Sequence, residues 1–478
     1  MSEPCDLSAV EARRLIGNKA LSPVELLASC LKRIDATNGT LNAIVAMDRK
    51  AARQQAEKAE QAVMRGAPLG LLHGLPLGIK DVQATRGLKT TWGSLIHKDH
   101  VPDADEDTVA NLRAEGAIIL GKTNTPEFGA GANTTNRVYG ATGNPFDPLK
   151  TCGGSSGGSA VALATGQVPL ATGSDYGGSL RTPAAFCGVA GFRPSPGLVP
   201  DISRAVLCSP FAVSGPMGRT IADLHLLLKA QIDIDRCDPF SSGDAARIPE
   251  HLSGIDLGSL NAAISMDLGC APIDAQIAKT FAKRVKTFRS VFGATADAAP
   301  DFSANVHTVF ETLRGINFLA AHGERLDKHK DLLGPNVIDN TERGMKLTAQ
   351  DVAFACTEQA NIMRRFTDFF EDFDVLICPA AAVAPFSHED LSVLEINGKA
   401  LPTYMSWLAI TYAPTTALAC AAVLPCGLDA HNMPFGIQVI GPNGADALVL
   451  EVAHALEQVL AQDKKTRRPL PNLTKLAS

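Results

Sequence analysis

Three residues along the chain have side chains that could together activate a nucleophile: Lys80 in GIKD, Ser155 in GGSSGG and Ser179 in GGSLR. A serine hydroxyl is a weak nucleophile until a neighbouring base removes its proton, and a lysine can be that base when burial keeps it neutral. Lys80 follows the apolar stretch 75–79, which favours a partly desolvated amine. Residue types alone leave a structural interpretation equally open, because buried lysines and helix-capping serines are common.

Glycines are concentrated around both serines. Eleven of the chain's glycines fall within residues 151–197, where an even distribution would place about four, and such clustering indicates unusual backbone conformations. The segment 151–166 resembles a flexible linker in composition, but Ser159 to Gly166 continues directly as a small-residue helix. When a nucleophile attacks a carbonyl group, negative charge develops on the carbonyl oxygen. In the sequence from Tyr176 to Ser179, two glycines allow several backbone N–H groups to turn towards such an oxygen.

The segments around these residues alternate between strand-like and helix-like patterns. Short apolar runs predict strands at 75–82, 116–124, 374–379 and 435–441. Helical patterns occur at 49–65, 107–115, 351–373 and 446–460, and capping signals at Ser8 and Ser22 predict two earlier helices. This alternation predicts an α/β fold.

One continuous domain over residues 1–478 is the predicted organisation. It comprises a helical segment at 1–66, a catalytic core at 67–200 and the remaining sheet with the substrate side at 255–478. The turn-rich segment 235–254 is predicted as a long loop or an internal boundary.

The segment GAIILGKT at 116–123 matches the phosphate-loop pattern GxxxxGK[ST]. Its four intervening residues, however, are what a buried strand contains, and Pro126 disfavours the helix that should follow a phosphate loop. We therefore predict a strand here, with Lys122 as a structural residue near its end.

Composition limits the class of protein. A net charge of −6, with 45% hydrophobic and 20% charged residues, is typical of a globular protein and disfavours nucleic acid as the main partner. The longest apolar tract, 413–427, is interrupted by Thr415, Thr416 and Pro425, so we expect no membrane-spanning helix. The N-terminus lacks a signal-peptide pattern and the eleven cysteines form no CxxC pair, which predicts a cytoplasmic location, reduced thiols and no metal site.

The segment GGSSGGSAVALATGQVPLATGSDYGGSLRTPAAFCGVAGFRP at 153–194 resembles the signature region of the amidase signature family of serine hydrolases. Three further segments resemble family segments in the same order: LHGLPLGIKDV at 72–82, ILGKTNTPEFG at 119–129 and PFGIQVIGP at 434–442. The resemblance covers most of the chain. It implies a single large α/β/α domain in which helices cover a central mixed, twisted sheet.

The resemblance also implies roles for individual residues. Ser179 corresponds to the family's nucleophile, Ser155 to its bridging serine, preceded by a cis peptide bond, and Lys80 to its base. The family's oxyanion hole corresponds to the backbone amides of three consecutive residues, Tyr176, Gly177 and Gly178. The family's reaction needs no metal or organic cofactor, and homodimers are frequent in it.

Four residues near the three are expected to be structural. Ser156 and Ser159 are expected to cap the helix that follows them rather than to join the proton relay. Asp175 and Arg181 flank the nucleophile segment, and we expect them to form an ion pair.

Pocket residues are predicted from size and polarity. Tyr176 stands where many family members carry threonine, and a phenol there would favour aryl or apolar groups. Met405 and Trp407, in the apolar segment TYMSWLAITYAP at 403–414, are the other expected substrate-binding residues.

The predicted function is hydrolysis of the C–N bond of a neutral small-molecule amide, an aryl or alkyl acylamide or a carbamate. Two alternatives stay open: the glutaminase-type A subunit of a tRNA-dependent amidotransferase, and a non-catalytic assembly subunit. Gln359 lies near the position where the glutaminase-type protein uses an arginine for the substrate carboxylate, which favours a stand-alone hydrolase. We expect a small-molecule substrate and neither nucleic acid nor membrane as a partner, and the resemblance favours a homodimer.

Overall fold

The structure is a computed structural model that describes residues 3–241 and 248–477. Its strands are β1 (Ile44–Met47), β2 (Pro76–Lys80), β3 (Ile118–Thr123), β4 (Thr135–Asn136), β5 (Gly140–Ala141), β6 (Leu170–Asp175), β7 (Ala190–Arg193), β8 (Val213–Gly218), β9 (Asn261–Ile264), β10 (Ala294–Asp297), β11 (Val375–Pro379), β12 (Glu395–Ile396), β13 (Lys399–Ala400), β14 (Cys420–Leu428) and β15 (Pro434–Gly441). Its α-helices are α1 (Ala9–Gly17), α2 (Pro23–Leu41), α3 (Arg49–Met64), α4 (Asp107–Ala114), α5 (Gly157–Ala164), α6 (Arg181–Cys187), α7 (Ile221–Gln231), α8 (Ala275–Phe288), α9 (Val306–His329), α10 (Pro335–Met345), α11 (Ala349–Phe369), α12 (Ala409–Thr416) and α13 (Asp446–Ala461).

An 11-stranded mixed sheet forms the centre of the molecule, with the order β1-β3-β2-β6-β8-β7-β14-β15-β11-β9-β10. The pairs β2–β3, β2–β6, β11–β9 and β9–β10 are parallel, and the other neighbours are antiparallel. Helices surround this sheet, and buried apolar residues on its strands form the main cores with them. The predicted α/β fold with a central mixed sheet is confirmed.

The apolar runs that predicted strands form β2, β3, β11 and β15, whose residues are all buried. The phosphate-loop match therefore lies in a sheet strand, as predicted. The ammonium group of Lys122 on β3 donates hydrogen bonds to Thr85 Oγ1, at 2.8 Å, and to the carbonyl oxygen of Gln83. Lys122 thus links β3 to the loop after β2.

The capping signals and most helical patterns were also correct. Ser8 accepts a hydrogen bond from the amide of Glu11, and Ser22 forms a complete capping box with Glu25. The helices α3, α4, α11 and α13 occupy the predicted ranges with small differences at their ends. The 24-residue helix α9, which packs against α10, α11 and α12, was not predicted.

The segment 235–254 is only partly described, because residues 242–247 lie outside the described ranges. Its described parts, 235–241 and 248–254, contain no α-helix or β-strand. Strands β8 and β9, on either side of the segment, belong to the same sheet. The single-domain organisation stays a prediction that this continuity supports. None of the described helices combines the length and apolarity needed to cross a bilayer.

The sheet brings the three chemically important residues to one edge. Strands β2 and β6 are parallel neighbours, paired through Leu77 with Leu170, so their carboxyl ends lie at the same edge of the sheet. Strand β2 ends at Lys80, and β6 leads directly into the loop that carries Ser179. Ser155 lies two residues before the start of α5, which packs against both strands.

Candidate active site

Lys80 is fully buried and its ammonium group is surrounded by serine hydroxyls. Its Nζ lies 2.6 Å from Ser155 Oγ, 3.0 Å from Ser156 Oγ and 2.9 Å from Ser174 Oγ. Burial lowers the pKa of Lys80 from 10.5 to about 7, and the negative charge of Asp175 opposes that shift only in part. A large share of Lys80 is therefore neutral, and able to accept a proton, near pH 7.

Ser155 is held in a confined stretch of backbone. It is 2% exposed, and the peptide bond between Gly154 and Ser155 is cis, as the resemblance implies. A Cβ atom at position 154 would lie 2.9 Å from the backbone of Ala132, and one at position 129 would lie 3.3 Å from Ser155 Oγ. Glycine at both positions therefore lets the surrounding chain approach the hydroxyl closely.

Ser179 lies in the short loop between β6 and α6 and is half-buried. Its carbonyl oxygen accepts a hydrogen bond from the amide of Ser156 at 3.2 Å. This bond joins the Ser179 loop to the start of α5, where Ser155 precedes Ser156. The structure thus places Ser179 beside the segment whose hydroxyl Lys80 binds.

Asp175 anchors the Ser179 loop. Its carboxylate accepts hydrogen bonds from the amides of Gly178, at 2.8 Å, and Leu180, at 3.1 Å. It also pairs with Arg181 at 2.9 Å and Arg193 at 3.3 Å, and all three side chains are completely buried. Burial by itself would raise the pKa of Asp175, but the two guanidinium groups hold it well below its usual value. The predicted ion pair is confirmed, with Arg193 as an additional member.

The predicted oxyanion hole needs one correction. The amide of Gly178 is already bonded to Asp175, so it is not available to an oxyanion. The amides of Tyr176, Gly177 and Ser179 form no hydrogen bond with the residues that the structure describes. The amide of Ser179, which the sequence analysis did not include, therefore replaces that of Gly178 as a candidate donor.

The two serines expected to be helix caps have other roles. Ser156 occupies the N-cap position of α5 without capping it, and its hydroxyl instead accepts a hydrogen bond from Lys80. Ser159 donates to the carbonyl oxygen of Thr172 at 2.7 Å and contacts Thr123 Oγ1, which joins α5 to β6 and β3. Ser174, the third hydroxyl at Lys80, was missed, although its position just before Asp175 could have suggested it.

A small cavity of about 20 Å³ adjoins the Ser179 loop. Its walls include Tyr176, Gly177, Gly178, Ser179, Arg314 and Met405. A space of this size holds about one water molecule, so a substrate must displace some of these side chains. Met405 lines this cavity, and its role in substrate binding stays a prediction.

Trp407 and Gln359 lie outside that cavity. The indole of Trp407 is 1% exposed and packs against the rings of Phe186 and Phe386, so burial of its large apolar surface places it in the core rather than in the pocket. Gln359, on α11, donates a hydrogen bond to the carbonyl oxygen of Thr416 at 3.3 Å.

Tyr176 separates the small cavity from a larger cleft of about 330 Å³, since it lines both. Its hydroxyl accepts a hydrogen bond from Asn317 Nδ2 at 3.1 Å, and its ring packs edge-on against Phe211 and Phe310. The cleft also reaches Ser174, whose hydroxyl contacts Lys80. Within the described residues, no group of three or more His, Cys, Asp or Glu side chains could hold a metal ion.

Comparison with known proteins identifies the family of the chain. Residues 25–450 match the family model described as Amidase. An acylamidase from Rhodococcus erythropolis is 33% identical, and the match covers 95% of each chain. The A subunit of the glutamyl-tRNA(Gln) amidotransferase from Picosynechococcus sp. is 31% identical over 94% of this chain and 96% of its own.

Among solved structures, a bacterial aryl acylamidase of the amidase signature family superposes with a TM-score of 0.86 at 26% identity, covering 95% of this chain and 96% of its own. Another structure, described as an amidase, has a TM-score of 0.83 at 28% identity, covering 95% of this chain and 99% of its own. The family model spans most of the sequence. The two solved structures also superpose on most of the chain. The chain belongs to the amidase signature family.

Proposed function

We propose that this protein is a serine amidohydrolase that cleaves a C–N bond through an acyl-enzyme on Ser179. The observation that carries the proposal is the contact of 2.6 Å between Lys80 Nζ and Ser155 Oγ, both buried beside the Ser179 loop. A neutral amine at hydrogen-bond distance from a serine hydroxyl can act as its base.

In the first half of the reaction, Lys80 Nζ accepts a proton from Ser155 Oγ, while Ser155 Oγ accepts the proton of Ser179 Oγ. The Ser179 oxygen forms a bond with the carbonyl carbon of the amide. Negative charge then develops on the carbonyl oxygen, where the amides of Tyr176, Gly177 and Ser179 are the available donors.

In the second half, the C–N bond breaks as the proton returns through Ser155 to the leaving nitrogen. A water molecule then attacks the ester on Ser179, giving up its proton to Lys80 by the same route. The products are an amine and a carboxylic acid, and Ser179 regains its proton.

We propose an aryl or alkyl acylamide, or a carbamate, as the substrate. Similarity to the acylamidase and the aryl acylamidase supports this class. The rings of Tyr176, Phe211 and Phe310 add an aromatic wall near the Ser179 loop. A cytoplasmic location and a homodimer stay predictions, and light scattering would test the second.

A second candidate function is that of the glutaminase-type protein of an amidotransferase, because several relatives of about this similarity carry that name. Gln359 stands near the position expected for the carboxylate-binding arginine of that protein, and its side chain donates a hydrogen bond to the carbonyl oxygen of Thr416 at the end of α12. Co-purification with partner proteins and activity that depends on tRNA would favour this candidate over a stand-alone hydrolase.

The experiment is intact-mass analysis after incubation with a fluorophosphonate, followed by release of aniline from a series of anilides. We expect one adduct on the wild-type protein and none on Ser179→Ala. The exposed Ser259→Ala is the matched control and should be labelled like the wild type. A folded wild-type protein that shows neither adduct nor turnover would overturn the proposal.

A further inference from the structure

Arg314, on α9, is a buried cation whose contacts within the described residues are all neutral. It is 5% exposed, and its Nε donates a hydrogen bond to Asn340 Oδ1 at 2.8 Å while Nη2 donates to the Tyr404 hydroxyl at 3.2 Å. The guanidinium also lies 4.5 Å from the ring centre of Phe318 and 5.5 Å from that of Tyr176. In the described parts of the chain, no carboxylate lies within ion-pair distance of it, and its Nη1 makes no hydrogen bond.

Three other buried arginines are paired with acids, whereas buried Arg219 donates hydrogen bonds to backbone carbonyl oxygens. Arg181 and Arg193 share Asp175, and Arg204 pairs with Asp238 at 2.9 Å. Arginine is rarely buried without such a partner, because removing a full charge from water is unfavourable. Contacts with aromatic rings recover only part of that cost. Within the described residues, Arg314 therefore has neither the carboxylate that pairs three of these arginines nor the carbonyl oxygens that Arg219 binds.

The position of Arg314 indicates what could supply that charge. Arg314 lines the same small cavity as Gly177, Gly178 and Ser179. Its stacking partner Tyr176 precedes the two glycines directly, and Asn317, one turn further along α9, holds the Tyr176 hydroxyl. A ligand bound for attack by Ser179 would thus have the guanidinium within its own cavity.

We propose that Arg314 binds an anionic group of the substrate, so that the preferred substrates are amides that carry a carboxylate or a comparable acid. The proposal rests on the proposed function, since it concerns the substrate of the Ser179 site. It replaces the neutral substrate that the sequence analysis expected from Gln359. A guanidinium binds carboxylates through charge-assisted hydrogen bonds, and the unused Nη1 is a donor for one.

Two pairs of isosteric anilides test the proposal. The first pair carries the charge on the acyl side: N-phenylsuccinamate and N-phenyl-4-methylpentanamide, in which an isopropyl group replaces the carboxylate. The second pair carries it on the amine side: 3-acetamidobenzoate and N-(3-isopropylphenyl)acetamide. We expect kcat/KM of the wild-type enzyme to be at least tenfold higher for the acid in one pair, which also identifies the side that faces Arg314.

The variants are Arg314→Met, Arg314→Lys and, as a matched control, Arg325→Met. Arg325 lies on the same helix and stacks over Phe128 at 5.1 Å, but it does not line the small cavity. We expect Arg314→Met to lose the preference for the acid, Arg314→Lys to keep part of it and Arg325→Met to keep it fully. A wild-type preference for both neutral amides, or a preference for the acid that survives in Arg314→Met, would overturn the proposal. An equal loss on all four substrates would also overturn it, because it would indicate a purely structural arginine.

Protection from labelling provides a second readout that does not require turnover. Millimolar succinate or glutarate should slow fluorophosphonate labelling of the wild type several-fold and leave labelling of Arg314→Met unchanged; equal protection of both would contradict the proposal. The two proposals fail separately. Absence of any Ser179 adduct on the wild type refutes the proposed function, whereas an active Ser179 without a preference for acids refutes only the role of Arg314.

Discussion

The reactivity of Ser179 should follow the protonation state of Lys80. The Lys80 amine is completely buried among three serine hydroxyls, and burial lowers its pKa from 10.5 to about 7. Only the neutral amine can accept a proton through Ser155, and its share rises as pH increases through the pKa. The rate of acylation should therefore rise with pH and reach a plateau above the pKa.

The size of the effect follows from these values. A lysine with the ordinary pKa of 10.5 would be neutral in about one molecule in 3,000 at pH 7, whereas about half of Lys80 is neutral there. Below pH 6 the rate should rise about tenfold per pH unit, and between pH 7 and pH 9 it should rise only about twofold. Burial thus supplies on the order of a thousandfold more of the active base at pH 7.

The assay is the rate of fluorophosphonate labelling between pH 5 and pH 10, followed by intact mass, so that no substrate needs to be known. Lys80→Ala should abolish labelling. Glu106→Gln is the important control, because burial also raises the pKa of Glu106, and hydrogen bonds through Gln83 and Thr172 connect it to the backbone of Lys80. The inflection should stay near pH 7 in this variant. A wild-type rate that keeps rising to pH 10, or one that does not change between pH 5 and pH 8, would refute the assignment of Lys80 as the neutral base.

Three further predictions concern residues around the relay. Ser155→Ala should slow labelling of Ser179 by about two to four orders of magnitude, with an unchanged circular dichroism spectrum, because proton transfer to Lys80 loses its bridge; a rate within a few-fold of the wild type would contradict the relay. Asp175→Asn should lower the free energy of unfolding in urea by about 3–5 kcal/mol, since it leaves two buried guanidinium groups without their carboxylate; Asp297→Asn, which removes the acid of an exposed arginine pair, should change it little. Tyr176→Thr should shift kcat/KM towards bulkier anilides by opening the wall between the two cavities, whereas Tyr176→Phe should not; identical profiles for all three proteins would exclude a role of the ring in selectivity.

Much of the fold and of the site was predictable because the signals are local. Strands β2 and β3 are short apolar runs with glycine or proline close to their ends. In a protein whose sheet is covered by helices, such runs form buried strands. The spacing of Ser155 and Ser179 within one glycine-rich segment carried the resemblance to the family. Lys80 followed from its place at the end of an apolar run.

Other features of the site could not be predicted from the sequence, because they depend on contacts between distant segments or on two acceptors competing for one hydrogen-bond donor. The sequence predicts the Gly178 amide as an oxyanion donor, but in the structure this amide already donates to Asp175 Oδ1 at 2.8 Å. Tyr176 contacts Asn317 and Arg314, which lie on a helix more than a hundred residues away in sequence. No local sequence pattern could have predicted these contacts. Trp407 illustrates a different limit, because a large aromatic ring fits a pocket wall and a core equally well by composition.

The ion pairs of Asp175 connect the stability of the site to its chemistry. Its carboxylate fixes two amides of the Ser179 loop, which holds the backbone for oxyanion binding before a substrate arrives. A free carboxylate so close to the relay would also favour the charged form of Lys80 and leave less of the base neutral. Pairing with Arg181 and Arg193 compensates that charge within the core. The same buried cluster therefore positions the nucleophile loop and allows the neighbouring lysine to lose its proton near neutral pH.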